Sequence, residues 1–373
     1  MEASKVFFTN MRVKNGDNLL KKLDRLMRAA GIESIDFDKR FTAIKMHFGE
    51  PGNLTFLRPN FAKVVADLVK EKGGIPFLTD CNVLYVGKRT QAVDHLNVAA
   101  ENGFSPASCG CPVIIADGLK GTDEALVPLE GTTYVKEAKI GHVIMDADIV
   151  ISLTHFKGHE ATGFGGALKN LGMGCGSRAG KMEQHCSGKP EINTELCRGC
   201  GACKRACEQD AIVFDAEHRA HIDQEKCVGC GRCLGACNFH AVYSPNYVAL
   251  DELCMKVAEY TKAVVQNRPC FHISIVMQVS PYCDCYGGND MAIIPDVGMF
   301  ASFDPVALDA ACADACNRQP VMPNSMLFDA LHEHSDHHDH FKNVSPDTNW
   351  QVTLEHAERI GIGTRNYELI TVK

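Results

Sequence analysis

The chain has 373 residues, enough for one large domain or two ordinary ones with room for an insert. Its 45% hydrophobic and 23% charged residues are ordinary globular composition and exclude a disordered chain. A net charge of −8 gives no electrostatic basis for binding nucleic acid or an anionic membrane, and no apolar run reaches the roughly 20 residues of a membrane span. The opening MEASKVFFTNMRVK lacks a basic segment followed by an apolar one, so no signal peptide is expected. Cysteine is the outlier, at 19 residues, many at C-x-x-C spacing. A secreted disulfide framework calls for a short chain and a secretory route. The expectation is therefore a cytoplasmic, reducing and anaerobic protein whose thiolates hold metal.

In chain order, Lys5–Thr9 reads as a strand, and Asp17 is placed to cap a helix running to Ala30, stopped by Gly31. Strands are predicted at Thr42–His47, Ile75–Asp80, Pro112–Asp117 and Asp148–His155. Helices are predicted at Pro59–Lys72 and Gln91–Asn102. This alternation predicts βαβ units and an α/β fold with a mainly parallel sheet and flanking helices. From Pro190 to Pro245 cysteine, glycine and charge rise together. Beyond it, Leu250–Gln266, Asp304–Asn317 and Thr353–Ile360 read as helices and Phe271–Val279 as a strand. The predicted organisation is an α/β body, residues 1–189 and 246–373, interrupted by a small insert at 190–245.

The insert is a repeat. CRGCGACKRACEQDAI, from Cys197, aligns with CVGCGRCLGACNFHAV, from Cys227. Each copy has the C-x2-C-x2-C-x3-C run of two-cluster bacterial ferredoxins, in which the fourth cysteine of each copy ligates the other cluster. One [4Fe-4S] cluster would take Cys197, Cys200, Cys203 and Cys237, and the other Cys227, Cys230, Cys233 and Cys207. Gly199, Gly201, Gly229 and Gly231 let the backbone approach and aim N–H groups at the sulfurs. A pair of zinc knuckles is the alternative, but zinc favours C-x-x-C pairs over this duplicated triple. The usual proline after the fourth cysteine is Glu208 in one copy and Asn238 in the other.

Several predicted strands end in an ionisable residue: His47, Asp80, Asp117 and His155. Parallel strands gather their carboxyl ends on one edge, where ligands bind. In the stretch after His155, Gly163, Gly165 and Gly166 precede a short helical run, Ala167–Leu171, and could present N–H groups to an anion or cofactor phosphate. Lys157, Lys169, Arg178 and Lys181 would add positive charge, and His185 closes the stretch. His155 and His159, at i and i+4, suit proton transfer better than metal chelation because Gly158 opposes a helix. Cys283 and Cys285 follow a strand directly and could bind a further metal or act as thiols. Cys175, Cys109 and Cys111 are weaker candidates. His332, His334, His337, His338 and His340 read as a solvated face that scavenges metal nonspecifically.

These residues resemble the family catalogued as domain of unknown function 362, described as iron–sulfur centre proteins. The resemblance rests on IKMHFGEPGN (Ile44–Asn53), IADG (Ile115–Gly118), the stretch His155–Lys181, the cysteine insert, CDC (Cys283–Cys285) and FASFDPVALDAA (Phe300–Ala311). It implies two [4Fe-4S] clusters and an α/β body, and leaves the reaction open. HFKGHEATGFGG also resembles the loop of nickel-pincer lactate racemases, over a short span. The leading expectation is an oxidoreductase. A donor or acceptor protein would exchange electrons with the two clusters, which feed a site for a small anionic substrate. The catalytic candidates there are His47, Asp80, His155, His159, Lys169, Lys181 and His185. An electron carrier without a convergent pocket, and a non-redox metalloenzyme with structural clusters, are the alternatives. No dinucleotide fingerprint is present, and flavin mononucleotide leaves too loose a signature to read from sequence.

Overall fold

The computed structural model describes residues 2–85, 87–186, 189–207, 209–227, 231–243, 245, 248–333 and 338–373. Cys230 and Gly229 of the second repeat, with Glu208, His334 and His337, lie outside them.

The body is built on an eight-stranded sheet of β1 (Ser4–Asn10), β2 (Phe41–Lys45), β3 (Ile75–Asp80), β4 (Val113–Ile115), β5 (Ile149–His155), β6 (Cys270–Val276), β7 (Gly298–Ser302) and β8 (Tyr367–Thr371). Its spatial order is β8-β1-β7-β6-β5-β2-β3-β4. Every neighbouring pair is parallel except the two that involve β7, which runs against β1 and β6. The fold class is thus α/β with a mostly parallel sheet.

β5 is central and buried along its whole length, IVISLTH, as a strand covered on both faces must be. Ile149, Ile151 and Leu153 face one layer of helices, α1 (Leu19–Ala29) and α2 (Pro59–Glu71), while Val150 faces the other. The second layer contains α4 (Ala167–Cys175), α6 (Leu250–Val265) and α7 (Pro305–Asn317). Between them in sequence lie α3 (Ala92–Glu101), which follows β3, and α5 (Arg178–His185), which follows α4. Gly172 on α4 lets that helix meet α6 closely, since a Cβ there would lie 2.1 Å from the Val257 carbonyl.

Segment 190–245 packs around an apolar cluster that includes Ile212, Ala220, Leu234, Ala241 and Val242 and that Met182 and Cys186 of the body join. Its halves mirror each other. Glu191–Ile192 pairs with Val242–Tyr243, and Ile212–Phe214 pairs with Ala220–Ile222. Two short helices, Ala202–Arg205 and Arg232–Ala236, each follow a glycine in the left-handed region, Gly201 (φ 73°) and Gly231 (φ 77°).

Candidate functional site

Register sets the site. Lys45, at the end of β2, pairs with Thr79 of β3 and Ser152 of β5, while Ile275 of β6 pairs with His155. The carboxyl ends of these strands therefore open onto one edge. There the chain encloses a cavity of about 190 Å³. Lys45, His47 and Asp80 line it from the strand ends, and Lys157 and His159 from a hairpin that pairs Lys157–His159 with Gly163–Gly165. Lys169 and Asn170 come from α4, Lys181 and His185 from α5, and Cys283 and Cys285 from the loop after β6. Six of the seven residues expected from sequence to be catalytic thus line one cavity. The seventh, His155, sits beneath it.

His155 acts as an anchor. Its ring bonds the Asp284 carboxylate through Nδ1 (2.8 Å) and the Met277 carbonyl through Nε2 (2.8 Å). Asp284 is fully buried and also meets Lys157 Nζ at 3.4 Å. With Asp284 held down, its neighbours Cys283 and Cys285 line the cavity. Gly158 brings the hairpin against this loop. Its N–H donates to Ser280 (2.8 Å), and a Cβ would lie 2.4 Å from the Pro281 carbonyl. His155 and His159 are on strands, so the i, i+4 helical pairing does not arise.

Lys169 Nζ lies 3.2 Å from Cys283 Sγ. Burial works against the ammonium, but the facing thiol groups of Cys283 and Cys285 hold its pKa up. The Cys283 thiol is held well below its ordinary value by its bond with Cys285, against burial, with further help from Lys169 and His159. Cys285 is pushed up correspondingly.

Two histidines are pinned by backbone. His47 Nδ1 accepts the Gly49 N–H (2.9 Å), and His159 Nδ1 accepts those of Ala161 (3.0 Å) and Thr162 (3.2 Å). An Nδ1 lone pair used this way places the proton of the neutral ring on Nε2. Burial, then the nearby Arg89, holds His47 well below its usual pKa, and burial brings His185 down to about 3.

Asp80 forms a buried ion pair with Lys45 at 3.0 Å, and Lys45 also donates to Asn170 (2.9 Å). Asp117 does not line the cavity. Its carboxylate accepts two N–H bonds from Asn82 (2.9 and 2.8 Å), and burial pushes it up to about 6. Arg178 is buried, and Cys175, Cys109 and Cys111 belong to apolar clusters elsewhere.

The glycine-rich N-terminus of α4 is not open to a ligand. The N–H groups of Ala167 and Leu168 donate to the buried carboxylate of Asp309 on α7 (2.7 and 2.9 Å). Gly166 permits this approach, since a Cβ there would lie 2.4 Å from Asp309 Oδ1. Gly163 packs on Trp350 and Gly165 on Lys157. The three glycines expected to hold a cofactor serve packing instead, because an internal carboxylate already caps the helix.

Three cleft residues escape a sequence reading. Arg89 is fully buried, bonds Glu50 (2.7 Å) and Tyr85, and leaves Nη1 without a hydrogen-bond partner. Lys45 sits one place before the predicted strand's last two residues, and Tyr85 lies in a loop. A positive charge inside the apolar TAIKMH run was the available signal for Lys45.

In segment 190–245, Cys197, Cys200, Cys203 and Cys237 line one small cavity, and Cys207, Cys227 and Cys233 line a second. These are the crossed groupings expected from the repeat, less Cys230. N–H groups face the sulfurs: Gly199 and Ala220 on Cys197 (3.5 and 3.4 Å) and Ala211 on Cys207 (3.4 Å). Gly199 (φ 64°) lies where a Cβ would be 2.4 Å from the His218 carbonyl. Among the described residues, no three His, Cys, Asp or Glu side chains converge closely enough to hold a single metal ion, at Cys283 and Cys285 or elsewhere.

Residues 42–314 match the model of the family described as Domain of unknown function (DUF362). The chain belongs to that family. Over 131 residues it is 29% identical to a thylakoid-associated protein of Synechocystis sp., which covers 34% of this chain and 35% of the relative. A Thermotoga maritima crystal structure covers 80% of this chain and 57% of its own, at 12% identity and a TM-score of 0.40. The lactate racemase apoprotein of Thermoanaerobacterium thermosaccharolyticum covers 74% and 51%, at 11% identity and a TM-score of 0.36. The chain thus spans about a third of the curated relative and just over half of the two solved proteins. Among the described residues, no helix is long and apolar enough to cross a membrane.

Proposed function

We propose that this DUF362 protein is an iron–sulfur oxidoreductase. In this reading segment 190–245 is a ferredoxin-type module holding two [4Fe-4S] clusters. One is held by Cys197, Cys200, Cys203 and Cys237, the other by Cys227, Cys230, Cys233 and Cys207. The clusters would supply or accept single electrons. The residues fit that role: the two cysteine-lined cavities, the N–H groups on sulfur, and a glycine where no side chain has room.

The observation that carries the reading is α5. Its Lys181 and His185 line the cleft, while its Met182 packs into the cluster of Cys203, Cys233, Leu234 and Cys237. Met182 Sδ lies 2.8 Å from where a Gly231 Cβ would stand. One helix therefore separates the cysteine module from the cleft. Leu84 does the same from the other side, lining the cleft and packing on the module. Convergence of the strand ends on one enclosed cavity favours an enzyme over a carrier.

In the cleft, Lys181 gives N–H bonds to the carbonyls of Gly174 (3.4 Å) and Gly176 (2.5 Å), leaving one of its three for a ligand. Together with Arg89 Nη1, which makes no hydrogen bond and lies 3.8 Å from Asp80 Oδ2, it would bind an anionic substrate. The Nε2–H of His47 would hydrogen-bond substrate oxygen, while that of His159 is directed at Cys283. Cys200, exposed at the module surface, suits exchange with a donor or acceptor protein. The free thiols fit a reducing cytoplasm; the thylakoid association belongs to the relative. Anaerobic purification with metal analysis and low-temperature electron spin resonance tests the proposal. About eight irons per chain and two interacting reducible centres are expected. Two zinc ions per chain overturn it.

A further inference from the structure

We propose that Cys283 is a nucleophilic thiolate that adds to the carbonyl carbon of a small carboxylate-bearing substrate. The inference rests on the reading of the cleft as a substrate site, and not on the occupancy of the cysteine module. Three observations carry it.

The first is charge. Lys169 Nζ faces Cys283 Sγ at 3.2 Å, and an ammonium there stabilises a thiolate while repelling a metal cation. The second is the set of protons around the sulfur. Nδ1 of both His47 and His159 is occupied by backbone N–H donors. Metal ligation through Nε2 would need that atom stripped of its proton while Nδ1 also carries none, which makes an imidazolate. The usual ligating arrangement is the reverse, with Nδ1–H donating to a carbonyl or carboxylate. The proton of the neutral ring therefore sits on Nε2 in both, and that of His159 is directed at the Cys283 sulfur. The third is anion recognition. Arg89, fully buried beside the cavity, leaves Nη1 without a hydrogen-bond partner, and Lys181 retains a free N–H.

A thiolate and oxyanion donors thus share one small cavity. The step balances without an external reagent. The Cys283 sulfur pair forms the S–C bond and the carbonyl π pair moves onto oxygen. That oxygen is held by the His47 Nε2–H and takes a proton from the adjacent Cys285 thiol.

Trapping the anaerobically prepared holoprotein with iodoacetate and iodoacetamide, followed by peptide mapping, tests this. Either reagent forms an S–C bond and expels iodide, but only iodoacetate carries a carboxylate. Cys283 is expected to react about tenfold faster with iodoacetate, the equivalent of one well-placed charge contact. Glyoxylate should protect it and the uncharged glycolaldehyde should not. Lys181→Met should abolish the preference for iodoacetate. Lys169→Met should slow both reagents and keep their ratio. Arg89→Leu is the riskier variant for folding, so the Lys181 and Lys169 pair carries the test. Equal rates for the two reagents, an unmodified Cys283, or stoichiometric Zn²⁺ uptake that blocks Cys283 would each overturn the proposal. A chain that lacks iron but keeps the iodoacetate preference separates this inference from the electron relay.

Discussion

The Lys45–Asp80 pair gives the sharpest check on how the cleft is held. Lys45 Nζ and Asp80 Oδ1 are 3.0 Å apart, with side-chain exposures of 1% and 4%. Replacing Lys45 with Met keeps the volume and removes the charge, leaving a buried carboxylate. Breaking one partner of such a pair costs about 3–5 kcal/mol. Arg89 Nη1 and His95 Nε2, each 3.8 Å from Asp80 Oδ2, are too far to take over at full strength. Unfolding entropy grows with chain length, so for a 373-residue chain this corresponds to a fall in Tm of about 4–6 °C. The double variant Lys45→Met/Asp80→Asn, which leaves no stranded charge, should recover most of it. Calorimetry at pH 7 reads both. The pH dependence has a definite sign. Burial raises the Asp80 pKa, but Lys45 and the neighbouring cations outweigh it and hold the carboxylate far below its usual range. Its contribution is present above the unfolded carboxylate pKa of about 3.9 and is lost as pH falls below it. A fall of less than about 1 °C in Lys45→Met, or a double variant no better than the single one, would refute this account of the strand-end edge.

Two further outcomes concern the scaffold. The Glu259 carboxylate accepts the N–H groups of Thr133 (2.6 Å) and Val135 (2.7 Å) and meets His356 Nε2 at 2.9 Å. Burial pushes its pKa up, but these bonds pull it down on balance, so its stabilisation is present above about pH 4 and fades in acid. Glu259→Gln should lose about 2–4 kcal/mol, read as a lower urea midpoint at unchanged slope, and should flatten the acid limb. Gly172→Ala places a methyl 2.1 Å from the Val257 carbonyl and should cost at least about 1–3 kcal/mol by parting α4 from α6. A wild-type melting curve for that variant would show the helices are not in register as described.

Much of the body was legible because its strands carry their own signal. Ile75–Asp80 appears with the expected ends, and Asp148–His155 is one residue longer than β5. Caps shift by single residues. Asn18, not Asp17, accepts the Lys21 N–H, and Gln91 and Asp304 serve as caps rather than as first helical residues. β7 gives no sequence signal, because GMFAS is buried on both faces and has no alternation to detect. β8, half exposed at the sheet edge, is equally silent. α5 is hard to read because Arg178–His185 is polar yet largely buried, its polarity spent on the cleft and, through Glu183, on Lys139. Asp309 shows the limit of motif reading. The glycines before α4 do expose helix N–H groups, but their partner comes from a helix about 140 residues further on, which no local pattern announces.

Paired serine variants decide whether the thiolate ligation is crossed. If Cys237 completes the Cys197, Cys200 and Cys203 set, Cys203→Ser/Cys237→Ser disables one centre only. About four irons per chain then remain, with a magnetically isolated signal. Cys233→Ser/Cys237→Ser strikes both centres and should leave almost no iron. The reverse pattern, or zinc in place of iron, would rule out crossed ligation.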